Sequence, residues 1–113
     1  MGKLGSIDFK GESGKLYTFN VYTLDSSFSQ KGGVYVVTNR SVTSDNSGKH
    51  RKIFIGSMSD LSRGFNNHPR LDYFEQEGAN CVCVYPEDKD NMRHEIEEDL
   101  IKKHHPAVNE MLA

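Results

Sequence analysis

Three places in this 113-residue chain combine residue type and spacing in a way that suggests chemistry. The first is Cys81 and Cys83, two apart in NCVCVY. On a strand both thiols point to one face, and a CxC pair is half of a metal site. The sequence has no other cysteine, so a zinc site would need histidine or carboxylate ligands to complete it. A disulfide between same-face strand neighbours has poor geometry. The expectation is two small buried apolar side chains. The second place is the stretch from Gly33 to Arg70, where Arg40, Lys49, Arg51, Lys52, Arg63 and Arg70 face only Asp45 and Asp60. The third is the acid-rich run HEIEED near the end. The formal net charge of -2 counts against a strongly basic nucleic-acid binder. That sum hides a basic front and an acidic back, which means either two faces with different jobs or a solvated acidic helix.

The elements that must position these residues follow from pattern. A hydrophobic fraction of 35% and a length of 113 suit one domain, residues 1–113, with a modest core. The longest apolar runs are far too short for a membrane span. The opening MGKLGSIDFK has no apolar run of the secretory kind. Together with the two cysteines this leads us to expect a cytoplasmic protein. Residues 7–10 and 16–22 read as a hairpin around Gly11-Glu12-Ser13-Gly14. GVYVVTNR at 33–40 reads as a strand with Val34, Val36 and Thr38 on one face and Tyr35, Val37 and Asn39 on the other. Residues 41–50 read as a long loop and 52–56 as the returning strand, stopped by Gly56.

From Ser57 to His68 the sequence predicts a helix, with Ser57 or Ser59 as N-cap, Asp60 in the first turn, and Leu61 and Phe65 on one face. Residues 70–77 predict a second short helix ending at Gly78, and 80–86 a buried strand. Residues 87–105 predict a longer helix whose apolar stripe is Met92, Ile96 and Leu100, with Ile101 beside it and Pro106 as its stop. The expected class is α+β: a small, mainly antiparallel sheet flanked by helices.

Gly33-Val34-Tyr35 followed by Phe54-Ile55-Gly56 resembles the signature of the GIY-YIG nucleases. The downstream pieces keep the order of that family. Gly56-Ser57-x-x-Asp60-Leu61 resembles its turn into the first helix, and His68 stands where many members carry a histidine. The closing run from Glu97 through Pro106 to Asn109 resembles its last helix. The resemblance covers residues 33–109. Residues 1–32 are similar to an extra β-hairpin ahead of this core in small bacterial members.

The resemblance implies an endonuclease: metal-assisted hydrolysis of nucleic-acid phosphodiesters, on DNA before RNA, with Mg²⁺ or Mn²⁺ as the cofactor. It implies Tyr35 beside the attacking water, Arg63 on phosphate, His68 taking or relaying a proton, Glu97 on the metal, and Asn109 holding a backbone group. Glu97 stands three before Leu100 and four before Ile101, so on a helix it borders the buried stripe. A single carboxylate suffices for a hard ion that keeps several waters.

Two departures weigh on activity. Phe54 stands where most members have a tyrosine, which removes a hydroxyl. The family's helix arginine falls at Gly64, with Arg63 one residue early; on an α-helix that is about 100° of rotation. The alternative is therefore a catalytically degenerate module of the same kind that binds nucleic acid or a protein partner, alone or as a homo-oligomer.

Overall fold

Strand pairing organises this chain, in two hairpins and one strand that returns between them. The computed structural model describes residues 3–42, 48–65 and 68–112. β1 (Lys3–Lys10) pairs with β2 (Leu16–Thr23), and β3 (Gly33–Val42) with β4 (Gly48–Met58). β5 (Cys81–Pro86) lies between β2 and β3, giving a five-stranded sheet of order β1-β2-β5-β3-β4 in which every pairing is antiparallel. The architecture is α+β. The N-terminal hairpin belongs to the same sheet, because β2 pairs with β5 and contributes Phe19 and Val21 to the core.

Both faces of the sheet are covered, so its central strands are apolar on both sides. α2 (Asp90–His104) covers one face, packing Ile96 and Leu100 against Phe9, Phe19, Val34, Val36, Ile55 and the two cysteines. Cys81 and Cys83 are free thiols, both buried. On the other face a 3₁₀ turn (Leu61–Arg63), α1 (Leu71–Gln76) and α3 (Ala107–Leu112) contribute Leu61, Phe74 and Val108, which pack with Tyr35, Val37, Ile53, Phe65 and Val84. The alternation expected along β3 is present: Val34 and Val36 face α2, while Tyr35 and Val37 face the other cluster. A register shift opposite Val37 and Thr38 lets Ile53 and Phe54 both join the second cluster despite being adjacent.

Several expectations require correction. No α-helix runs from Ser57 towards His68. β4 continues to Met58, because Ser57 and Met58 still pair with Val34 and Gly33, so the strand ladder takes the residue that would have capped a helix. Asp60 is the cap instead: its carboxylate accepts the Ser62 N–H at 3.0 Å. Gly64, at φ 68°, ends the 3₁₀ turn after one turn. The loop expected at 41–50 is shorter, since pairing persists to Val42 and Gly48; its centre, 43–47, lies outside the described residues. α2 starts at Asp90, and its buried stripe contains Arg93 where Met92 was expected. The Arg93 guanidinium pairs with Asp90 and donates to the carbonyls of Glu87 and Asp88, which satisfies a buried cation and leaves Met92 exposed. The chain is helical again after Pro106, in α3. No described helix is long and apolar enough to cross a membrane.

Asp99 ties the first hairpin to α2. Its carboxylate accepts the Ser13 N–H at 2.8 Å, the Ser13 hydroxyl at 2.7 Å and the Tyr17 hydroxyl at 2.8 Å, while its carbonyl accepts the Glu12 N–H at 3.0 Å. The Ser13 hydroxyl, with the Ser13 N–H and the Tyr17 phenol, holds this carboxyl below the ordinary range against the effect of burial. Burial and Asp99 push Tyr17 up to about 12. Asp99→Ala removes the shared acceptor and should lower stability by about 1–3 kcal/mol. A urea melt with the native midpoint would contradict this anchoring role.

Candidate functional site

The site is built around one close contact across the β3–β4 pair. Tyr35 stands opposite Gly56, and its ring lies across the glycine: a Cβ there would sit 2.6 Å from the phenolic oxygen and 2.8 Å from Cζ. The glycine is needed for the space it leaves. With the ring so placed, the hydroxyl reaches towards β4, which is the edge strand.

The Tyr35 hydroxyl is hydrogen-bonded to Nε2 of His68 at 2.6 Å. The imidazole is enclosed by aromatic rings. Phe65 stacks on it at 12° with centroids 6.1 Å apart, and Phe74, Tyr35 and Phe54 stand at 4.9, 5.7 and 5.9 Å. Phe54 thus forms part of the wall around His68 and packs on Phe74 at 5.5 Å, where a tyrosine would bring a hydroxyl. Burial, and then the Arg70 charge, push His68 below its ordinary value. Burial, and then the negative charge of Glu97, push Tyr35 above its ordinary value, with Arg70 opposing them.

These groups border a cleft of about 800 Å³ lined by Tyr35, Phe54, Ser57, Arg63, His68 and Arg70 among others. Arg63 ends the 3₁₀ turn and is exposed. Since no α-helix forms here, the argument from helix rotation does not apply, and Arg63 lines the cleft from its own position. Its charge, after two hydrogen bonds from Ser62, helps hold Asp60 below the ordinary carboxylate range. Among the described residues, neither Arg63 nor Arg70 has a carboxylate within ion-pair distance.

Glu97 approaches from α2, on the other face of the sheet. The Ser57 hydroxyl donates to its Oε1 at 2.8 Å, and Nδ1 of His94 lies 3.7 Å from the same oxygen. Ser57 also lines the cleft, so it links the carboxylate to the cleft wall. Asn109 stands elsewhere. Its carboxamide accepts the Ile55 N–H at 2.7 Å and donates to the Ile55 carbonyl at 3.0 Å, pairing with the open edge of β4 as another strand would. The fold therefore gathers Tyr35, His68 and Arg63 around the cleft, brings Glu97 to its rim through Ser57, and uses Asn109 to hold β4.

Sequence reading gave Ser57 no role at the site and placed Arg70 there only as one of six basic residues. Ser57 was read as a helix cap, and its pairing with Glu97 spans 40 residues. The His-Pro-Arg-Leu turn, which sets Arg70 apart from the other basic residues, carried the only local signal for it.

Glu97 offers a carboxylate of the kind a hard divalent cation takes. One carboxylate oxygen is held by Ser57, the other has no partner among the described residues, and the neighbouring donor is a hydroxyl. Among the described residues, no three His, Cys, Asp or Glu side chains form a cluster that could hold a metal. The fit is accordingly to an ion that keeps most of its waters.

No family model, curated protein or solved structure matches this chain.

Gly56→Ala should displace the Tyr35 ring, break its bond to His68 and cost about 1–3 kcal/mol. An unchanged urea midpoint would show that the ring can lie elsewhere. Burial also pushes His50 and His104 below the ordinary imidazole value. Below about pH 6.5 the unfolded chain takes up protons that these histidines and His68 decline in the fold. Stability should be full above that pH and fall as it drops, so the urea midpoint at pH 5.5 should lie below that at pH 7.5.

Proposed function

We propose that this cleft hydrolyses nucleic-acid phosphodiesters, in a domain of the GIY-YIG kind. The observation that carries the reading is the hydrogen-bonded Tyr35–His68 pair, in a cleft that Arg63 and Arg70 also line and beside the Ser57-anchored Glu97. A phosphodiester needs positive charge on its non-bridging oxygens, and Arg63 and Arg70 line the cleft where they would supply it. A water must also be placed next to phosphorus, and the Tyr35 hydroxyl, on the cleft wall, is the group that would hydrogen-bond it. Glu97 is the residue that would hold Mg²⁺ or Mn²⁺, which when bound stabilises charge at phosphorus and at the leaving oxygen. Asn109 holds the outer edge of β4 at Ile55, next to Gly56. DNA is the proposed substrate and the cytoplasm the proposed setting, in keeping with two free buried thiols.

Phe54 supports a second reading. It spends its ring on the wall around His68 and offers no hydroxyl, as a module that binds nucleic acid or a protein without cutting would tolerate. Plasmid nicking with Mg²⁺ or Mn²⁺ separates the two. The native chain should nick DNA, chelation should abolish the activity, and Glu97→Ala should reduce it by about 100-fold or more. No metal-dependent cleavage of any DNA or RNA form would reject the nuclease reading. Salt-sensitive binding without cleavage would favour the second.

A further inference from the structure

The turn that carries His68 decides which of its nitrogens holds the proton. Residues His68, Pro69, Arg70 and Leu71 form a β-turn closed by the Leu71 N–H on the His68 carbonyl at 3.0 Å, with proline at the position it favours. Within that turn the Arg70 N–H donates to Nδ1 of His68 at 3.0 Å. A ring nitrogen that accepts a backbone N–H presents its lone pair and carries no proton. A neutral imidazole has one N–H, so here it is on Nε2. That nitrogen lies 2.6 Å from the Tyr35 oxygen, and the bond therefore runs from His68 to Tyr35, with the phenolic oxygen accepting. The phenol keeps its own hydrogen, which has no protein partner among the described residues and is free to meet a molecule in the cleft.

We infer that His68 is a positioning residue: a fixed Nε2–H donor that holds the Tyr35 oxygen and turns the Tyr35 hydroxyl hydrogen towards the substrate. It is not the base that takes the proton of Tyr35. Nε2 already bears a proton, and Nδ1 is blocked by the Arg70 N–H. An imidazolium would need a second proton on Nδ1, facing that N–H and close to the Arg70 guanidinium. The surrounding Phe65, Phe74 and Phe54 rings disfavour charge as well. Any relay through this ring would first have to break the bond to Arg70. The role in turning Tyr35 towards a phosphodiester rests on the functional reading above; the direction of the hydrogen bond does not.

Two measurements test it. In the native chain with ¹⁵N-labelled histidine, long-range ¹H–¹⁵N spectra at pH 7 should show His68 protonated on Nε2 alone. An Nδ1–H tautomer or an imidazolium would overturn the inference. In the nicking assay, His68→Gln keeps an N–H donor near Nε2 and should hold kcat within about tenfold of native, whereas His68→Ala should lose about 100-fold. Equal losses in both variants would overturn the donor role. A native chain that cleaves nothing defeats the nuclease reading, and the spectrum still decides the direction of the bond.

Discussion

The ring of Tyr35 lies across Gly56, and the candidate site depends on that contact. A central strand buries its side chains on both faces, and Tyr35 is 3% exposed. Its hydroxyl reaches a cleft because the opposing residue on the edge strand has no side chain to stop it. The same contact sets where His68 must be, since the hydroxyl is its partner, and the aromatic enclosure of the imidazole keeps that partner neutral. Burial raises Tyr35 and lowers His68, so each is held in its uncharged form. Charge at the cleft comes from Arg63, Arg70 and Asp60, with Glu97 reaching its rim through Ser57.

α2 spans the sheet and is fastened at both sides. Glu97 accepts from Ser57 on β4, at one edge, and Asp99 accepts from Ser13 and Tyr17 in the hairpin at the other. Ile96 and Leu100 bury the stripe between these flanks. The N-terminal hairpin thus contributes to how the helix carrying Glu97 sits. The edge of β4 is closed differently, by the carboxamide of Asn109 on Ile55, which satisfies backbone groups that an edge strand would leave to solvent.

Where the sequence was misread, a longer-range interaction had won over a local one. Ser57 is a good helix cap by type, yet pairing with Val34 holds it in a strand, and Asp60 takes the cap. Met92 fits the apolar spacing, yet the loop carbonyls of Glu87 and Asp88 draw Arg93 inwards. The gap between Arg63 and Gly64 mattered only on an α-helix, and the positive φ of Gly64 prevents one. Cys81 and Cys83 were legible because a buried strand has one simple use for two small apolar side chains.

Alternation and helical spacing determined the strands, which residues of β3 share a face, the two later helices and the α+β class, because each of these depends on neighbours a few residues away. The candidate residues Tyr35, Arg63, His68, Glu97 and Asn109 came from the resemblance of their motifs to a known signature, and alternation and helical spacing alone do not single them out. Only the tertiary structure decided what each of them touches. β5 inserts between β2 and β3, Glu97 meets Ser57 across 40 residues, and Tyr35 meets His68 across 33. Such contacts are set by how whole elements pack, and no local pattern carries them. The direction of the bond between His68 and Tyr35 combines both kinds of information: a four-residue turn sets the proton, and the packed sheet supplies the oxygen that receives it.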